Sequence, residues 1–125
     1  MKFFFDTNLS QHMAKGMSAF GENVTHLKDH FTEDTEDSVW LEFIGINSFI
    51  LITRDKNLRK NPLEIQTIRK FKVGAFFLGG KNLTKWHLIQ QLVRSWPRIK
   101  EFSRKTQKPF IYLVNRTGTK MNRII

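Results

Sequence analysis

The sequence predicts an α/β three-layer sandwich built on a mainly parallel sheet of four or five strands. Three observations carry this. Short apolar runs alternate with helical patterns along the chain, the order that builds parallel sheets through crossover helices. The runs are apolar throughout, as strands covered on both faces are. Only seven Gly and three Pro punctuate 125 residues, with no repeat or low-complexity block, so one compact unit is expected. Its domain is placed at residues 1–114, followed by a polar, basic and mobile tail at 115–125.

Lys2 to Phe5 reads as a short buried strand stopped by Asp6-Thr7-Asn8. Leu9 to Phe20 reads as a helix, with Asn8 or Ser10 as its cap and Gly21 as its stop. Asn23 to Leu27 is a second strand, and 28–35 a polar loop. Thr35 can cap a helix from Glu36 to about Gly45, with Val39, Trp40, Phe43 and Ile44 as its apolar stripe. Phe49 to Thr53 is the clearest buried strand. Asn61-Pro62-Leu63-Glu64 is a helix start, with a cap, a first-position Pro and a third-position acid, and that helix runs to about Phe71. Val73 to Leu78 is a strand closed by Gly79-Gly80. A helix is expected from Thr84 to Ser95. Pro97 starts or kinks a further segment to Thr106, and Phe110 to Val114 is the last strand.

Composition excludes several classes. Zero Cys removes disulfides, Cys-ligated metals and thiol nucleophiles, and fits a cytoplasmic protein. No apolar run approaches the ~20 residues that span a bilayer, so no membrane association is expected. The opening residues do not read as a signal peptide. The net charge of +10 attracts polyanions, nucleic acid first. That charge is unevenly placed. Residues 1–42 hold three basic and eight acidic residues, a net −5, whereas 43–125 hold eighteen basic and three acidic, a net +15. Arg54, Lys56, Arg59 and Lys60 form one basic group. Arg69, Lys70 and Lys72 form a second, and residues 94–108 a third. Salt-bridged helix faces mix signs, whereas these groups have almost no acids among them, which points to a polyanion, either RNA or an acidic protein.

The acids at strand ends carry the chemistry. Ligands of open parallel sheets bind beyond the carboxyl ends of the strands. Asp6 follows the first strand and Asp55 follows the third. Neighbouring parallel strands lie ~4.8 Å apart, so two such carboxylates can share one ion. Glu36 or Asp37, at a helix start, can add a third, although acids there are also favoured by the helix dipole. Three facing carboxylates call for a hard cation, Mg²⁺ or Mn²⁺, of the kind that assists phosphodiester hydrolysis. Asn8 can cap the helix or hydrogen-bond a ligand, and Thr53 can offer a hydroxyl or be an ordinary strand residue. Arg54 and Lys56 can hold a phosphate or form a solvated turn. His26 and His30, four apart but on a strand and loop, are not expected to bind metal.

The strand before Asp6-Thr7-Asn8-Leu9-Ser10, the segment Asp34-Thr35-Glu36-Asp37 with Trp40-Leu41, and Leu51-Ile52-Thr53-Arg54-Asp55-Lys56 with Asn61-Pro62 and Glu64 together resemble the motifs of PIN-like nucleases. The resemblance spans about residues 2–114 and is to the branch of short bacterial VapC-type toxins. It implies a metal-dependent endoribonuclease, with Asp6, Asp37 and Asp55 as metal ligands and Glu36 as a helper. It also implies RNA and an antitoxin protein as partners, and it allows a homodimer. One departure is visible. The family usually offers a fourth acid near the end of the next strand, where Leu78-Gly79-Gly80-Lys81-Asn82 has none. Asn82 can supply an oxygen there but no charge. A module that binds nucleic acid or protein without cutting is therefore the alternative, and cleavage of DNA is a third option.

Overall fold

The computed structural model describes residues 1–125. Six strands form one sheet: β1 (Lys2–Phe5), β2 (Val24–His26), β3 (Phe49–Thr53), β4 (Gly74–Leu78), β5 (Phe110–Val114) and β6 (Met121–Arg123). Their order across the sheet is β2-β1-β3-β4-β5-β6. The first five are parallel, and β6 returns antiparallel to β5. The predicted fold class is the one observed, with one strand more than expected.

The helices divide between the two faces. One face is covered by α1 (Gln11–Ala19) and α5 (Lys85–Lys105), through Met13, Met17, Leu92, Trp96 and Ile99 against Phe3, Phe5, Ile50 and Ile52. On the other face lie α2 (Asp37–Ile46), the short α3 (Asn57–Lys60) and α4 (Pro62–Lys70). Their Trp40, Leu41, Ile44, Leu58 and Ile68 pack on Phe4, Leu51, Ala75 and Phe77. Successive strand residues serve opposite cores, which is why the strands are apolar at every position. Close approach of α2 to the end of α4 requires Gly45, where a Cβ would lie 2.3 Å from the Phe71 carbonyl oxygen.

Several local expectations shift. Ser10, not Asn8, caps α1, accepting from the Met13 amide. The start of α2 has Glu36 at its cap position, with no capping hydrogen bond from its side chain. The helical segments expected on either side of Pro97 form one 21-residue helix. Pro97 is exposed, so water can serve the Val93 carbonyl that loses its amide partner. The segment read as a mobile tail is folded: Asn115 accepts from the amides of Thr119 and Lys120 to close a turn, and β6 pairs with β5. No helix is long and apolar enough to cross a membrane.

Strand order reverses at β1: α1 leads from β1 outward to β2, and α2 then leads back from β2 past β1 to β3. In doubly wound sheets such a switch point opens the crevice where ligands bind. Asp6 leaves β1 at this point.

Candidate active site

The β1–β3 register sets the site. Phe5 pairs with Ile52, so the next residues, Asp6 and Thr53, meet at the sheet's carboxyl edge. Both are buried, at 2% and 0% exposure. Asp6 Oδ2 accepts from the Thr53 hydroxyl, and its Oδ1 accepts from the Asn8 amide at 3.0 Å. The Thr53 oxygen in turn accepts from the Asp55 amide at 3.0 Å, so one hydroxyl ties the two acids together. Asp55 Oδ1 is held by the Asn57 amide at 3.0 Å, which starts α3.

Asp37 enters from the first turn of α2, where Trp40 Nε1 donates to its Oδ1 at 3.2 Å. Its neighbour is Glu64, from the first turn of α4, near enough for the charge of Asp37 to raise the Glu64 carboxyl. Glu64 is the fourth acid. It comes from a helix start on the α2 side of the sheet, not from the end of β4, where no acid stands. In the sequence it counts with Asn61-Pro62 toward the resemblance and as a helix-start acid, with no place at the site. Glu36 is exposed and lines a shallow cavity with Asp37, Ser38, Leu63, Glu64 and Thr67. Asn82 is exposed, with φ 54°, after the Gly79-Gly80 turn, and has no hydrogen bond to any of the four carboxylates.

The electrostatics follow from crowding. Burial raises the Asp6 carboxyl to about 6, with a further push from Asp55, against the lowering effect of its bonds from Thr53 and Asn8. Burial and then the charge of Asp55 hold Asp37 above the ordinary carboxylate range. Glu64 is raised by burial, then by the charges of Asp37 and Asp55. None of these four acids forms a salt bridge in a chain of net charge +10. The donor set, carboxylate oxygens under mutual repulsion, fits a hard divalent cation. As the side chains stand, no three of them gather closely enough to enclose an ion.

The basic residues flanking Asp55 divide by role. Arg54 bonds the β4 end: Nη1 donates to the Leu78 carbonyl at 3.3 Å and Nη2 to the Gly80 carbonyl at 3.0 Å. Burial, and then the nearby Arg116, lower its pKa. Lys56 and Lys60 are exposed and Arg59 half-buried, all beside a cavity next to Arg54. Arg54→Ala is therefore expected to lower stability by about 2 kcal/mol, the scale of hydrogen bonds to a charged donor. Lys60→Ala should change it by less than about 0.5 kcal/mol. Urea denaturation of the two variants checks this, and equal effects would remove the structural role given to Arg54.

His26 is a structural residue. It is buried at 2%, its Nδ1 accepts from the Lys28 amide at 3.1 Å, and its Nε2 lies 2.7 Å from the Leu9 carbonyl. With Nδ1 accepting, Nε2 carries the hydrogen and donates. His30 packs against Phe43, ring centroids 5.0 Å apart.

Among known proteins, a family model described as a PIN like domain matches residues 1–80. No curated protein and no solved structure matches the chain. The matched stretch runs from β1 to the end of β4 and contains all four clustered acids. With its mostly parallel sheet and acids at the switch point, the chain belongs to the PIN-like domain family, a nuclease-type fold.

Proposed function

We propose that this protein is a metal-dependent endoribonuclease, and that it acts as the toxin of a toxin–antitoxin pair of the VapC type. One observation carries the nuclease reading. Four carboxylates without basic partners border the sheet's switch point in an open arrangement, inside a chain otherwise rich in unpaired Lys and Arg. Asp6, Asp55 and Asp37 would hold Mg²⁺ or Mn²⁺, with Glu64 beside them and Glu36 at the rim. When bound, the cation would neutralise charge on the scissile phosphate and make a water acidic enough to attack it.

The chain's own residues do the positioning. Thr53 fixes the spacing of Asp6 and Asp55. Trp40 orients Asp37. Glu64, raised above the ordinary carboxylate range by burial and by Asp37 and Asp55, is a candidate proton relay beside Asp37. Lys56, Arg59 and Lys60 would meet the RNA backbone, whose binding is then salt-dependent. The toxin role, an antitoxin partner and a cytoplasmic location rest on the resemblance and on the absence of Cys. An acidic antitoxin segment would fit the same basic surface.

A second reading, a PIN-like module that binds without cutting, is favoured by the open arrangement of the acids. Titrating Mn²⁺ or Mg²⁺ against labelled RNA separates the two. The expected result is cleavage that rises with metal and stops with EDTA. Strong binding with no metal-stimulated cleavage sinks the nuclease reading in favour of the module.

A further inference from the structure

A cavity of about 190 Å³ opens at the carboxyl ends of β3 and β4, beside Asp55. Five cations line it: Arg54, Lys56, Arg59, Lys60 and Lys81. No acid lines it, and none of the five belongs to a salt bridge. Its floor is the end of β4, where Phe77 and Leu78 are 2% and 3% exposed.

The wall is held rigidly. Carbonyl oxygens of the 78–81 turn would repel an anion, but each is occupied by a donor. Arg54 serves Leu78, Gly79 and Gly80, and Arg116 serves Lys81. Buried Gln91 adds a 2.8 Å bond to the Gly79 carbonyl from behind and another to that of Asn115. Two guanidiniums thus converge on one short turn while keeping N–H groups unspent, since each guanidinium has five. Lys81 and Arg116 lie beyond the residues matched by the family model.

We propose that this cavity binds a phosphoryl group of the nucleic-acid strand other than the one being cut, and so sets which linkage reaches the acids. The inference rests on the nuclease reading for its purpose, but not for the binding itself. Five unpaired cations around a small pocket select an oxyanion. The volume is below the ~300–1,000 Å³ of cavities that enclose drug-sized ligands, which suits a phosphoryl group with part of its sugar. The lack of an exposed aromatic in the lining argues against a stacked base. Asp55 joins this pocket to the acidic cluster, because Arg54 and Lys56 flank it in sequence, so a phosphate here lies next to the proposed cleavage point.

The test is binding in EDTA, without metal and without cleavage. Fluorescence anisotropy would compare one oligoribonucleotide bearing a 5′-phosphate, a 3′-phosphate or only hydroxyl ends. The variant is Lys60→Ala/Lys81→Ala, both exposed positions, against a control Arg104→Ala/Lys105→Ala at the far end of α5. The pocket variant is expected to bind at least tenfold more weakly, with a salt slope shallower by about 0.7 for each phosphate that is no longer neutralised. A weakening confined to one phosphorylated end assigns a terminal monoester, and an equal weakening on all three assigns an internal diester. A pocket variant that binds every oligonucleotide as well as the control overturns the proposal. Because no cleavage is read, that failure is separate from failure of the nuclease reading.

Discussion

Asp6→Asn is expected to reduce metal-stimulated RNA cleavage on the order of 10³-fold, equivalent to about 4 kcal/mol of barrier, and yet to leave the protein no less stable at pH 7.5. The two halves have one cause. Asp6 is 2% exposed, and burial lifts its carboxyl from 3.8 to about 6. The folded state therefore holds this proton more tightly than the unfolded state does. Stability is greatest below about pH 4, falls as pH rises between about 4 and 6, and is constant above. The ionised form costs about 3 kcal/mol at neutrality on this count. The amide of Asn has no charge to bury, which removes that cost. It also replaces one acceptor by a donor, so either the Thr53 hydroxyl or the Asn8 amide loses its partner, a penalty of about 1–3 kcal/mol. The balance at pH 7.5 runs from no change to a gain of about 2 kcal/mol, whereas at pH 4 only the penalty remains. Denaturation at both pH values, with a cleavage assay, checks each half. Cleavage within tenfold of wild type removes Asp6 from the reaction. A stability loss larger at pH 7.5 than at pH 4 contradicts the buried-charge account.

The same site shows where local sequence stops being informative. Asp6 and Asp55 were legible because each follows a fully apolar run, and parallel strands deliver their carboxyl ends to one edge. Thr53 was not, because its bond to Asp6 depends on Phe5 pairing with Ile52. A slip of one residue would carry its hydroxyl to the other face, and no local pattern encodes that register. The bonds of Arg54 to the end of β4 were not legible either, because the carbonyls that accept them lie 24 to 26 residues away. Met121–Arg123 offers no apolar run, since an edge strand with one half-buried residue needs none. The four-residue α3 is shorter than any periodic signal. The uneven charge along the chain also gains a structural meaning. Two of the three acids in the basic portion, Asp55 and Glu64, belong to the acidic cluster, and the third, Glu101, pairs with Lys105 on α5.

Glu64→Gln is expected to lower cleavage by about 10²-fold, at the low end of what a lost proton-transferring group costs, with little change in stability. Its position makes it look dispensable, because acids at the third residue of a helix commonly complete a capping box. The geometry removes that role. The Asn61 amide is spent on the Asn57 carbonyl at 2.9 Å, and the Asn61 side chain caps α4 alone through the Leu63 amide at 3.0 Å. Glu64 is thereby free to face Asp37, whose charge adds to burial in raising the Glu64 carboxyl. Gln in its place keeps the size and polarity of the side chain but cannot release a proton or add charge. A purely structural role would therefore be rescued by Gln, whereas a role in charge or proton transfer would not. The pH profile supplies an independent readout. Glu64 titrates above the ordinary range, so at fixed Mn²⁺ the acidic limb of the wild-type rate should become shallower in the variant, which has one fewer group to ionise. Activity within twofold of wild type, with an unchanged limb, would show that Asp6, Asp37 and Asp55 suffice and that Glu64 serves only the α4 dipole.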